Sequence, residues 1–131
     1  MIGLDTNVVV RYIMQDDASQ SAKATELIES LSNDRPGFIS LVSIVEIYWV
    51  LTACYRLTDA QFKEALEILL RARQIVIDRV EQVAAAARLF DPGRADFADC
   101  LIARIAASRG CRQTLTFDVK AARHAGMTLL E

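Results

Sequence analysis

Ile2-Gly3-Leu4-Asp5-Thr6-Asn7-Val8-Val9 opens the chain, and its reading decides the fold. Ile2–Leu4 is a short apolar strand. It stops at a carboxylate, and the Val-rich segment Thr6–Met14 then starts a helix with Asp5 or Thr6 as its N-cap. The same passage from strand to helix recurs downstream. Phe38-Ile39-Ser40 leads into Leu41–Tyr55, Gln74–Ile77 into Val80–Phe90, and Thr114–Phe117 through Asp118 into Val119–His124. Short apolar strands alternating with helices imply an α/β domain with a parallel sheet.

The intervening segments fit that frame. Ala18–Leu31 has helical periodicity through Ala22, Leu27, Ile28 and Leu31 after the acidic start Asp16-Asp17. Arg35-Pro36-Gly37 is a break. Leu41–Tyr55 is apolar nearly all round, which marks a buried helix. Thr58-Asp59 caps a helix whose core stripe is Phe62, Leu66, Leu69 and Leu70. Asp91-Pro92-Gly93 ends Val80–Phe90. Ala95–Ser108 places Ala98, Leu101, Ile102 and Ile105 on one face, with Gly110 as its C-terminal cap. The expected strands are 2–4, 38–40, 74–77, 114–117 and 127–130. They form a mainly parallel central sheet of about five strands, with helices on both faces. No repeat, low-complexity tract or linker interrupts residues 1–131, which read as one domain.

Composition narrows the class. With 53% apolar residues and few Pro and Gly, the chain is globular, not disordered. Net charge is −2, so no overall field draws nucleic acid. Only Lys23, Lys63 and Lys120 are lysines among 15 basic residues; the rest are Arg, the better fork for phosphate, and most lie in the second half. Cys54, Cys100 and Cys111 lack metal-type spacing and fit a reducing cytoplasm, with Cys54 and Cys100 expected in the core. The N-terminus has no basic n-region, so a secretory signal is not expected. Leu41–Tyr55 is too short and, with Glu46, too charged for a membrane span. The sole histidine, His124, argues against a His-based metal site.

Four acids stand in unexpected places. Asp5 and Asp118 directly follow strands, and ligands in open α/β sheets bind outside the carboxyl ends of the strands. Glu46 is the only charge from Leu41 to Tyr55. Asp99 shares a helical face with Asp96, three residues before it. A buried carboxylate costs several kcal/mol unless it is paired, hydrogen-bonded or bound to a cation. Oxygen-only acidic donors suit Mg²⁺ or Mn²⁺. Thr6, Asn7 and Thr116 add short polar groups for a second-shell water or a substrate phosphate. Each acid also has a plainer reading. Asp5, Asp96 and Asp118 are natural helix caps, Asp99 suits a surface salt bridge, and Glu46 a buried ion pair.

Four segments together carry a family resemblance. Ile2–Val9 resembles the opening of PIN domains, small metal-dependent ribonucleases. Ser43-Ile44-Val45-Glu46 is similar to their second acidic motif, Ala98–Ala103 to their third and Leu115-Thr116-Phe117-Asp118 to their fourth. All occur in order across the chain, whose length most resembles the VapC-type toxins of prokaryotic toxin–antitoxin pairs. The resemblance implies that Asp5, Glu46, Asp99 and Asp118 are catalytic metal-binding residues, with Asp96 a less direct one. It implies a Mg²⁺- or Mn²⁺-dependent endoribonuclease that cuts RNA with a metal-activated water and leaves 5′-phosphate and 3′-hydroxyl ends. It further implies a cognate antitoxin and a homodimer. The rival readings are a Mg²⁺-dependent phosphatase or phosphoacceptor with Asp5 as nucleophile, and a non-catalytic PIN-like scaffold or RNA-binding protein.

Overall fold

A computed structural model describes residues 1–131. Strands β1 (Ile2–Gly3), β2 (Gly37–Ile39) and β3 (Ile75–Ile77) pair in that order, all parallel. Parallel neighbours need long crossovers. Helices α1 (Thr6–Met14) and α2 (Ala18–Glu29) supply the first; α3 (Leu41–Trp49) and α4 (Asp59–Arg71) supply the second. After β3 come α5 (Val80–Leu89), α6 (Phe97–Ser108), β4 (Leu115–Thr116), α7 (Val119–His124) and β5 (Thr128–Leu129). The α/β class and parallel pairing are as expected. All five expected strands are present, four of them shorter and β2 one residue earlier, and hydrogen bonds join them as a three-stranded ladder and a separate parallel pair, β4 with β5.

Local chemistry sets the helix ends. Asp5, Asp17, Ser40, Thr58, Asp96 and Asp118 are N-caps, each accepting a backbone N–H. Such a bond satisfies a donor that the first helical turn leaves unpaired. Thr58 and Gln61 complete a reciprocal capping box. Gly110, at φ +89°, lies just past the end of α6, a conformation that costs a Cβ-bearing residue about 1 kcal/mol or more. The core stripe of α4 is Phe62, Leu66 and Leu69, with Leu70 half-buried.

Three expectations are corrected. Leu41–Tyr55 is not a helix buried all round. Its α-helical part ends at Trp49, a π-helical turn Val50–Cys54 follows, and Val42 (70% exposed), Glu46 and Trp49 (46%) form an outward stripe. In α6 the buried residues are Phe97, Cys100, Leu101 and Ala103, while Ile102 is exposed. Cys100 is buried as expected, and loss of hydration pushes its thiol up to about 11; Cys54 is exposed.

An aromatic cluster braces the site's surroundings. Tyr48 of α3 packs on Phe62 of α4 at 4.8 Å between ring centroids, and on Phe97 at 5.8 Å. Phe90, just after α5, meets Phe97 at 5.8 Å. Edge-on and tilted contacts of this kind add about 0.5–1.5 kcal/mol each beyond burial. Phe97 thereby anchors the first turn of α6, the turn that carries Asp96 and Asp99. No helix is long and apolar enough to cross a membrane.

Candidate functional site

Asp5 leaves the carboxyl end of β1 and caps α1. Its Oδ1 accepts the Thr6 N–H at 2.8 Å, and Oδ2 makes no hydrogen bond. The buried Thr6 hydroxyl donates to Glu46 Oε1 at 2.6 Å, which ties α1 to α3. Glu46 Oε2 has no partner. Asp5, Thr6, Asn7 and Glu46 border one cleft, which Arg11 and Tyr55 close on another side.

A second cleft collects the remaining acids. Asp59, Asp96, Asp99, Asp118 and Lys120 line it, together with Gly93 and Arg94. Asp96 Oδ1 caps α6 by accepting the Asp99 N–H at 2.8 Å. Asp118 Oδ1 caps α7, accepting from Lys120 N–H at 2.8 Å and Ala121 N–H at 3.3 Å. The Asp118 N–H donates to Thr116 Oγ1 at 3.0 Å, so Thr116 acts by fixing the backbone beside the acid. In both caps Oδ2 remains unbonded. Apart from its interaction with Asp96, the Asp99 carboxyl has no hydrogen-bond partner, and no Lys or Arg lies in ion-pair range of any of these three acids.

The electrostatic result is a carboxyl that resists ionisation. The Asp99 pKa is raised first by burial, then by the charges of Asp96 and Asp118, and by hydrogen bonding to Asp96. Desolvation and like charge act in the same direction here.

None of the acids is buried. Asp5, Glu46 and Asp118 are exposed, and Asp96 and Asp99 are half-buried. The cost of burying a carboxylate therefore does not explain them, and Glu46 in particular has no buried ion pair. Helix capping does account for Asp5, Asp96 and Asp118, and it engages only one oxygen of each. Capping and ligand binding are compatible roles for these side chains.

Two further acids make long-range contacts that the sequence does not signal. Asp59 accepts from the Tyr48 hydroxyl at 3.3 Å and the Gly93 N–H at 3.2 Å, joining α3 to the loop that leads into α6. No local pattern signals this, because its partners lie far away along the chain. Asp78 directly follows β3, the same signal that singled out Asp5. Its Oδ2, however, accepts the Leu41 N–H at 3.2 Å at the start of α3.

No three His, Cys, Asp or Glu side chains stand close enough to enclose a metal ion unaided. The donors nevertheless suit a hard cation in kind, being carboxylate and hydroxyl oxygens with open valence. Mg²⁺ in particular keeps several waters and needs only one or two direct carboxylates. The family model of the PIN domain matches residues 2–127, nearly the whole chain. The chain belongs to the PIN domain family, whose fold is of the nuclease type and whose members generally hydrolyse nucleic acids. No curated protein matches it.

Proposed function

With PIN-family membership as the premise, we propose that this chain is a Mg²⁺- or Mn²⁺-dependent endoribonuclease, the toxin of a type II toxin–antitoxin pair. The observation that carries the reading is the cleft of Asp96, Asp99 and Asp118, crowded acids with free oxygens and no ion pair. Asp5, Glu46, Asp99 and Asp118 would hold the metal, directly or through water, with Asp96 beside them. A bound divalent cation supplies Lewis acidity, which makes water nucleophilic at neutral pH and offsets charge on the phosphoryl oxygens.

The chain's own residues do the positioning. Thr6 fixes the carboxylate of Glu46 through its hydroxyl. The caps made by Asp5, Asp96 and Asp118 hold each carboxylate to a helix start, so its free oxygen is pre-oriented. Asn7 at the mouth of the Asp5 cleft offers an amide to a phosphate oxygen. The phosphoacceptor alternative needs a Lys paired with its nucleophile, but Lys120 makes no ion pair with Asp5 or any other acid. The scaffold alternative fits poorly with five acids that all retain an unbonded oxygen.

The toxin assignment rests on the resemblance that the four motifs carry. It brings a cognate antitoxin, a cytoplasmic site of action and a homodimer. Light scattering at micromolar concentration should give a dimer mass. The decisive assay incubates RNA with purified protein, maps the cleaved ends, and repeats with EDTA and with Asp5→Asn. The expected result is metal-dependent cutting that leaves 5′-phosphates and fails in both controls. Cutting that persists in EDTA would overturn the reading.

A further inference from the structure

Phe117 is 81% exposed, more than any other large hydrophobic residue in the chain. It sits between Thr116, which ends β4, and Asp118, which lines the acidic cleft. Its exposure is held in place by the backbone on both sides. Thr116 O accepts the Leu130 N–H at 2.7 Å, Thr116 Oγ1 accepts the Asp118 N–H at 3.0 Å, and Asp118 Oδ1 accepts from Lys120 and Ala121. These bonds fix the backbone on both sides of Phe117. On the other side of Asp118, Lys120 borders the same cleft and makes no ion pair. An outward aromatic, an acid and a free ammonium thus occupy Phe117, Asp118 and Lys120 in one short turn.

We propose that the junction of β4 and α7 is a nucleotide-holding subsite for single-stranded RNA, in which Phe117 stacks on an unpaired base and Lys120 contacts a backbone phosphate. The inference rests on the ribonuclease reading and adds to it how substrate is gripped. The family's action on nucleic acids, and the free ammonium of Lys120 beside an outward ring, favour nucleic acid as the occupant. A cleft of uncompensated carboxylates repels a polyanion, so a cation at its rim and an aromatic face beside it supply the attraction that the acids do not. Stacking accepts any base, because every base has a π-face, and it is denied to paired bases inside a duplex. The subsite therefore selects for strandedness more than for sequence.

The test measures the affinity of a fluorescently labelled oligoribonucleotide by anisotropy, in an Asp5→Asn background with Mg²⁺ so that the RNA stays intact. Phe117→Ala should weaken single-strand binding about 5- to 100-fold and leave duplex binding of the same sequence unchanged. Phe117→Trp should retain single-strand affinity. Lys120→Met should lower the slope of log affinity against log salt by about 0.7, one phosphate contact. Unchanged single-strand affinity in Phe117→Ala, or equal loss for both strand forms, overturns the proposal. So does a changed mass in light scattering with RNA affinity intact, which would make Phe117 part of a protein interface. If Phe117→Ala cleaves RNA with an unaltered KM, the subsite falls while the ribonuclease reading stands. If the parent protein binds no RNA, both fall.

Discussion

Asp16 and Asp99 are both acids near a helix start, and their surroundings could hardly differ more. Asp16 accepts from Arg11 at 3.0 and 3.1 Å and from the Tyr55 hydroxyl at 2.8 Å. Hydrogen bonds from Tyr55 and then Arg11 lower its pKa, and Asp16 in turn raises those of both partners. Asp99 has the charges of Asp96 and Asp118 for company and no cation, and its pKa is raised. The Asp16 cluster is closed: its charges cancel within the protein, and it ties the turn after α1 to the end of the π-helical turn. The Asp99 cluster is open, its charge left for something outside the chain to balance. Charge satisfaction, more than the presence of acids, separates a brace from a candidate cation site.

The comparison breaks first on activity. Asp99→Asn is expected to reduce RNA cleavage by at least about 100-fold, whereas Asp16→Asn leaves the rate within about 3-fold, in initial-rate assays at saturating Mg²⁺. Equal losses would erase the distinction. Thr6→Val, which removes the hydroxyl that fixes Glu46, should cost about 10-fold in rate or apparent metal affinity, read from a Mg²⁺ titration of activity. Metal at about 100 times its dissociation constant should raise the Tm by roughly 5–10 °C in the wild type. Differential scanning fluorimetry should find that shift retained in Asp16→Asn and absent from Asp99→Asn.

A smaller effect sharpens the contrast without metal. The raised Asp99 pKa means that its charged form is disfavoured by folding. In EDTA at neutral pH, Asp99→Asn should therefore melt higher than wild type, while Asp16→Asn should melt lower. The pH dependence has opposite signs at the two acids. Stability from Asp16 is present above its unfolded pKa, near 3.8, and is lost as pH falls through its depressed folded value. At Asp99 the protonated form binds its proton more tightly when folded. Stability thus declines as pH rises from about 3.8 through its raised value. Melting curves from pH 3 to 7 on the wild type and the two variants would show the two trends as differences from wild type of opposite slope, and parallel curves would refute them.

Where a local bond fixes the structure, the sequence made it legible. Asp5, Thr58 and Asp118 announce their helices because an N-cap acts on backbone only one to three residues away. The strand-to-helix rhythm likewise placed all five strands and their parallel sense. What was not legible depends on distance or on direction. Val42, Glu46 and Trp49 lie in an apolar run, yet they face outward, because hydrophobicity without a clear period does not say which side is covered. The burial reasoning about Glu46 failed for that cause, although its link to Thr6 places it beside Asp5. Asp59 was legible at a helix start, but its bridging role was not, because Tyr48 and Gly93 reach it only through the fold. Asp5 and Asp78 show the limit of strand-end position as a signal, since Asp78 is engaged by the start of α3.

The central claim is that the Asp99 cluster is incomplete without a divalent cation. Calorimetric titration of Mn²⁺ into EDTA-stripped, dialysed protein tests it most directly. The account predicts a saturable binding event in the wild type and in Asp16→Asn, with proton release that grows as pH is lowered toward the raised Asp99 value, and no such event in Asp99→Asn. Absence of binding to the wild type, or equal binding to Asp99→Asn, would contradict it.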